Sequence, residues 1–309
     1  VLPYLHAMNR TLIFCLLFLW SSTSLLAKTE LMADPPHWWV GMANQHVQLM
    51  VRGENIGAHT ASVDYDGVTL ILTRSGDSKN YLFLNLEIAP TAKAGVMLIK
   101  FKSQGKTLKF YYELKQRKKG ASLSGGFDAS DVIYLITPDR FANGNPDNDQ
   151  VNSMKEDPDR AFHGGRHGGD LRGIIDHLQY IKDMGFTAIW LNPILENDME
   201  KWSYHGYSTT DFYKVDPRYG TLEEYHELCD RAHEMGLKVI ADMIENHCGS
   251  NHWWMSDLPF KDWINNDGKS VQTTHRRETI QDPYASASDK KKHSDGWFVL
   301  CSPEEIGEV

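Results

Sequence analysis

Between residues 131 and 242 three continuous apolar runs alternate with two segments of helical period, and this pattern leaves few folds open. The runs are Val132-Ile133-Tyr134-Leu135-Ile136, Thr187-Ala188-Ile189-Trp190-Leu191 and Leu237-Lys238-Val239-Ile240-Ala241-Asp242. Strands that are apolar at nearly every position read as buried on both faces, as in a parallel sheet covered by helices. Between them, Leu171 to Met184 carries Leu171, Ile174, Ile175, Leu178 and Ile181 at helical spacing and stops at Gly185. Leu222 to Met235 reads as a second helix, with Gly236 as its cap. Strand, helix, strand, helix, strand predicts right-handed βαβ units, of a doubly wound sheet or of a (β/α)8 barrel.

The polar residues favour the barrel. Each run ends in a polar cluster: Thr137-Pro138-Asp139-Arg140-Phe141, Asn192-Pro193 and Asp242-Met243-Ile244-Glu245-Asn246-His247. Barrel enzymes build their sites on that edge, from the loops that follow the strands. Residues 137–170 separate the first run from its helix, far more than the usual connection of roughly 2–6 residues. No G-x-G-x-x-G follows the first strand, as a dinucleotide-binding doubly wound sheet would need.

Residues 35–114 have a different texture. Val47–Val51, Val68–Leu72, Tyr81–Leu84, Val96–Phe101 and Thr107–Tyr112 are short apolar or alternating runs, parted by Gly, Asn and Asp. They predict an antiparallel β-sandwich over residues 30–115, followed by a polar linker at 116–130. The basic run Arg117-Lys118-Lys119 reads as a solvated linker face. The fold expected is therefore multidomain: an N-terminal β-sandwich, then about three βα units of a (β/α)8 TIM barrel over residues 131–309.

A net charge of -9 without a basic stripe argues against nucleic-acid partners. Nine Trp and thirteen Tyr suit both cores and sugar rings. Met8-Asn9-Arg10, the apolar Leu12–Trp20 and the small residues up to Ala27 read as a signal peptide cleaved near Ala27. The expectation is a secreted or periplasmic protein that is not membrane-bound once the signal is removed, with residues 1–7 as upstream sequence. Cys15, Cys229, Cys248 and Cys301 show no metal or disulfide spacing. The string Asn143-Gly144-Asn145-Pro146-Asp147-Asn148-Asp149 suits either a plain turn or a hard cation such as Ca²⁺. It is not an EF-hand, because Asn148 and Met154 stand where that loop needs Gly and Glu.

Gly185-Phe186-Thr187-Ala188-Ile189-Trp190-Leu191-Asn192-Pro193 resembles the second-strand signature of the α-amylase family of glycoside hydrolases. His205-Gly206-Tyr207, with Asp211 to Gly220 after it, is similar to the family's approach to its second helix. Asp242-Met243-Ile244-Glu245-Asn246-His247 resembles its D-x-V-x-N-H region, with Ile for Val. Pro36-His37-Trp38-Trp39-Val40-Gly41-Met42 resembles the N-terminal domain of cyclomaltodextrinases and neopullulanases.

The resemblance implies an α-glucan substrate: α-1,4 bonds of cyclodextrins, maltooligosaccharides or pullulan. It implies that Tyr207 stacks on the sugar at the cleavage point, and that Asp242 and His247 line the same subsite. It assigns His205 to substrate contact or to loop shape, and leaves Trp202 and Tyr204 open between sugar platform and packing. It implies a calcium site of Asn143, Asn145, Asn148, Asp149, the Gly168 carbonyl and Asp170, the last two in Gly168-Gly169-Asp170. The oligomeric state of a full-length enzyme is left open. The family's Asp nucleophile, Glu acid/base and stabilising Asp follow strands four, five and seven, so no catalytic residue is assigned here. The expectation is an N-terminal fragment, inactive alone, whose end after Trp297-Phe298-Val299 departs from the family pattern. A non-catalytic starch-binding protein is the alternative.

Overall fold

The computed structural model describes residues 30–117, 126–265, 284 and 286–288. The expected signal peptide, residues 118–125 of the linker, Cys15, Cys301 and the segment from Gly296 onward lie outside the described residues.

Side-chain alternation builds the first unit. In β7 (Gly95–Ser103), Met97, Ile99 and Phe101 are fully buried while Val96 is 61% exposed. β7 turns into β8 (Lys106–Gln116) through Gln104-Gly105, both at positive φ (45° and 76°), the twist a two-residue hairpin needs. β2 (His37–Val40) and β4 (Thr60–Asp64) complete a sheet ordered β2-β8-β7-β4. The second sheet is ordered β1-β3-β6-β5, from Met32–Asp34, His46–Arg52, Tyr81–Ile88 and Val68–Ser75. Leu49, Val51, Leu82, Leu84 and Leu86 of one sheet share a core with Met97, Ile99, Phe101, Tyr112 and Leu114 of the other.

Two features depart from the sequence reading. β1, β2 and β4 are additional strands that none of the apolar or alternating runs marks: β1 spans three residues, and β4 carries one large apolar residue, Val63. β2 also runs parallel to β8, His37 beside Glu113 through Val40 beside Gln116, where only antiparallel pairing was expected. The chain leaves β1 in one sheet and enters β2 in the other after Pro35-Pro36, so no hairpin dictates its direction.

The second unit is a parallel sheet ordered β13-β10-β9, from Lys238–Ala241, Ala188–Leu191 and Ile133–Ile136. Ile136, Leu191 and Ala241 stand in one row, so the three polar clusters begin at one edge. A short helix α1 (Pro138–Phe141) follows β9 directly. α2 (Leu171–Asp176), α3 (Leu178–Asp183) and α4 (Leu222–Glu234) cover one face of the sheet, with Leu171, Ile174, Ile181 and Leu228 at no exposure against Ile189 and Leu191. α4 starts in a capping box between Thr221 and Glu224. A two-stranded ribbon, β11 (Leu195–Glu196) and β12 (Asp211–Val215), carries the loop after β10.

The single helix expected over Leu171–Met184 is broken at His177. Its backbone N–H turns to Ile174 O and its ring Nδ1 donates to Gly173 O at 2.7 Å, so the regular ladder does not pass through it. The strands were also expected to be buried on both faces. Ile133, Leu135 and Trp190 are instead exposed, because among the described residues no layer packs on the face away from the helices.

The two units meet along β6. Tyr81, Leu82, Phe83 and Leu84 are all buried, two toward the core and two toward residues 253–263 of the second unit. Tyr81 stacks on Trp253, Phe83 stacks on Phe260, and the Arg52 guanidinium lies 4.0 Å over the Trp253 ring. Asn80 Nδ2 donates to Asp257 Oδ2 at 2.8 Å, and Asp77 N donates to Pro259 O at 2.8 Å.

Candidate functional site

The site grows from the aligned strand ends. Asp242 follows β13 directly, and its Oδ2 accepts two hydrogen bonds, from Tyr207 Oη at 2.9 Å and from Trp190 Nε1 at 3.2 Å. Burial, followed by that bond to the carboxylate, pushes the Tyr207 hydroxyl up to about 12, so it keeps its proton at neutral pH. His247 Nε2 donates to Tyr207 O at 3.0 Å. His205 Nδ1 accepts from Tyr207 N at 2.9 Å, and its ring stacks on the tyrosine at 5.9 Å and 29°. Gly206, at φ 84°, makes this turn; a Cβ there would lie 2.1 Å from Pro193 O. Tyr207 is thus fixed at its amide, its carbonyl, its ring and its hydroxyl.

Sequence reasoning named Tyr207, Asp242, His247 and His205, and the fold brings all four together. It missed Trp190, read only as a strand residue. The available signal was alternation: Ile189 and Leu191 face the helices, which sends Trp190 to the other side.

A model of the α-amylase catalytic domain matches residues 135–300, and one of the cyclomaltodextrinase N-terminal domain matches residues 33–118. The chain belongs to the α-amylase family. The neopullulanase 2 of Thermoactinomyces vulgaris is 37% identical over 153 residues, covering 47% of this chain and 26% of that protein. The cyclomaltodextrinase of Thermoanaerobacter pseudethanolicus is 40% identical over 145 residues, 43% of this chain and 24% of that protein. A β/α-amylase of Paenibacillus polymyxa is 41% identical over 143 residues, 44% of this chain and 12% of that protein. The aligned parts are a small share of each relative.

In this α-amylase-family chain the Tyr207 cluster contains one carboxylate among the described residues, whereas glycosidic cleavage by the usual route takes two. What the cluster offers is a flat ring beside a carboxylate and two imidazoles, an apolar face flanked by hydrogen-bonding groups.

A second group of oxygens gathers between α1 and α2. Asn143 Nδ2 donates to Asp149 Oδ1 at 2.6 Å, and Gly168 presses on both: a Cβ there would lie 2.5 Å from that carboxylate oxygen. Asn143 Oδ1 and both polar atoms of Asn148 are buried without a hydrogen-bond partner. Unpartnered amide oxygens beside a carboxylate fit a hard cation. The other two residues of the implied set are engaged as caps. Asn145 Oδ1 accepts from Asp147 N, and Asp170 begins α2, taking the N–H groups of Gly144, Asn145 and Gly173. Only two of the six are carboxylates, and no group of three His, Cys, Asp or Glu able to hold a metal occurs among the described residues.

Buried charges tie these loops together. Arg218 Nη2 lies 2.7 Å from Asp216 Oδ2, both side chains almost fully buried, and the same guanidinium bonds to Asn197 O and Glu156 O. Burial pushes the Asp216 carboxyl up, but Arg218 and Arg166 outweigh it and hold it below the usual range. Asp139 accepts from His167 N and Gly168 N and pairs with Arg140 at 2.8 Å. Arg140 in turn lies 3.8 Å over the Tyr204 ring, which takes one face of that aromatic.

Proposed function

We propose that this chain supplies one wall of the substrate cleft of an enzyme that hydrolyses α-1,4-glucosidic bonds in cyclodextrins, maltooligosaccharides or pullulan. The observation that carries this reading is the Tyr207–Asp242 bond with His247 on the Tyr207 carbonyl, at the strand edge where barrel enzymes place their chemistry. The names of the neopullulanase and cyclomaltodextrinase relatives support the substrate class. Tyr207 stacks on a glucosyl ring, Asp242 holds the tyrosine and orients charge, and His247 serves a sugar hydroxyl. The nucleophile, acid/base and stabilising carboxylates belong to further strands, so on this reading the 309 residues bind α-glucan without cleaving it. The unpartnered oxygens of Asn143 and Asn148, with Asp149 and the Gly168 carbonyl, hold a calcium ion that stiffens the loop after β9. The signal-peptide pattern of residues 8–27 supports export.

Calorimetry with maltoheptaose tests this. Wild type is expected to bind with no reducing sugar released, and Tyr207→Ala to bind at least about tenfold more weakly. Turnover by the chain that Asp242→Asn abolishes would overturn the assignment of roles.

A further inference from the structure

Trp202 is one of three non-glycine residues at positive φ among the described residues, with Asn55 and Gln104. Its φ of 65° and ψ of 11° put a bulky aromatic in the left-handed region, which side chains of that kind avoid. The strain is held in place from outside. Glu156 accepts from Trp202 N with one carboxylate oxygen (3.1 Å) and from Ser203 N with the other (2.7 Å). The Glu156 carbonyl is itself bonded to Arg218, locked in its buried pair with Asp216. Ser203 is buried, and its hydroxyl accepts from Arg166 at 3.3 Å.

What this clamp presents is not core. Trp202 belongs to none of the buried apolar clusters of the described residues. Its ring meets Phe162 and His163 edge-on, at 5.1 and 5.6 Å, and both of those neighbours are exposed. Gly164 backs it so closely that an added Cβ would lie 2.0 Å from the indole. Asn or Gly would make the same turn without strain, so the backbone does not call for tryptophan here. Backbone strain that persists because the surroundings hold it clusters at ligand clamps and active sites. Tyr204, two residues on, differs: the Arg140 guanidinium covers its ring.

We propose that Trp202 is a second stacking platform for the glucan, on the rim beside Phe162 and His163, and that Glu156 is the positioning residue that holds it there. The inference rests on the α-glucan reading of the Tyr207 site and extends it. One platform lies within the cleft and the other on its rim, so affinity grows with the length of the sugar chain.

Binding of maltotriose and maltoheptaose to the full 309-residue chain tests the proposal. Trp202→Ala is expected to weaken maltoheptaose binding roughly three- to tenfold and to leave maltotriose within about twofold. Glu156→Gln should reproduce that split, because its amide faces two N–H donors and releases the turn. Tyr207→Ala should weaken both sugars. A wild-type measurement guards against misfolded variants: with 5-fluorotryptophan throughout, the ¹⁹F resonance lost in Trp202→Phe should shift when maltoheptaose is added. An unmoved resonance, or a Trp202→Ala protein that binds both sugars like wild type, overturns the platform and leaves the Tyr207 reading standing. Equal losses for both sugars would mean the variant acts through Tyr207, and also overturn it. Wild type that binds neither sugar removes both readings.

Discussion

The two units bury different chemistry. The two-sheet unit has a core of Leu, Val, Ile, Met, Phe and Tyr, and among the described residues no charged one is fully buried in it, Asp34 being half-buried. The parallel-sheet unit buries Asp139, Arg166, Asp170, Asn192, Asn197, Asp216, Arg218 and His252, along with several Ser and Thr. The difference follows from what each must hold. In the first unit the strands pair into two four-stranded sheets, and apolar side chains fill the space between them. In the second, long loops cross one edge of the sheet with no ladder to satisfy them, so side chains bond to the backbone instead. The Glu156 carboxylate does this for Trp202 and Ser203, Asp139 for His167 and Gly168, and Asp170 for Gly144, Asn145 and Gly173. A unit built to carry a site on its loops holds them with polar groups.

The largest test of that contrast is Arg218→Ala. It removes the ion-pair partner of buried Asp216, leaving Arg166 alone to oppose that charge, and should destabilise the second unit by about 3–5 kcal/mol. Hydrogen exchange should show amides of 188–241 losing protection while those of β7 keep theirs. Equal loss in both units would mean that the contrast has no energetic content. Leu84→Ala is the counterpart, opening a cavity between the sheets at about 2–5 kcal/mol and loosening the first unit first. Its neighbour Phe83 faces the seam, and Phe83→Ala should instead split one melting transition into two.

Calcium comes next in size. At a hundredfold excess over its dissociation constant the ion should add about 2.7 kcal/mol, seen as a higher Tm. Asp149→Asn should weaken that response, and a melt unchanged by calcium or chelator would remove the site.

The smallest effects are those of pH at the seam, on the order of 1 kcal/mol each once solvent screening is allowed for. Burial first, and then Asp211, push the Asp34 carboxyl up to about 6, although Arg52 pulls it down. Its contribution is complete at the acid end, below the ordinary 3.8, and is lost as pH rises through about 6. His252 is the opposite case: burial and then Arg52 lower it to about 4, and its Nδ1 accepts from Trp254 N, which requires the neutral ring. Its contribution is complete above the ordinary 6.5 and is lost as pH falls through about 4. Asp34→Asn should flatten the loss toward neutral pH and His252→Asn the loss toward acid, each read from Tm against pH. Parallel curves for either variant and wild type would dismiss that group.

The two units were also unequally legible in the sequence. Apolar runs and helical spacing are local, and they placed β3, β5 to β10, β13 and α4 within a few residues. The strand-end hexapeptide, Asp242–His247, and Tyr207 were legible as motifs because motifs too are local. What stayed hidden was pairing across distance. Nothing near Glu156 announces that it clamps Trp202, and nothing near Arg218 announces that it reaches Glu156 and Asn197. The parallel entry of β2, the break at His177 and the seam at Tyr81 and Phe83 depend in the same way on partners far along the chain or on one side chain's bond to the backbone.

The central claim, that the loops of the second unit recognise α-glucan and the two-sheet unit supports them, is tested most directly by mapping maltoheptaose on the ¹⁵N-labelled chain by NMR. The predicted result is a set of saturable amide shifts at 202–209 and 242–249, absent in Tyr207→Ala, with the exposed side of β8 at Tyr111 and the adjoining Trp39 of β2 unmoved. Saturable shifts at Trp39 and Tyr111 with none around Tyr207 would contradict it, and would make the first unit the sugar-binding one.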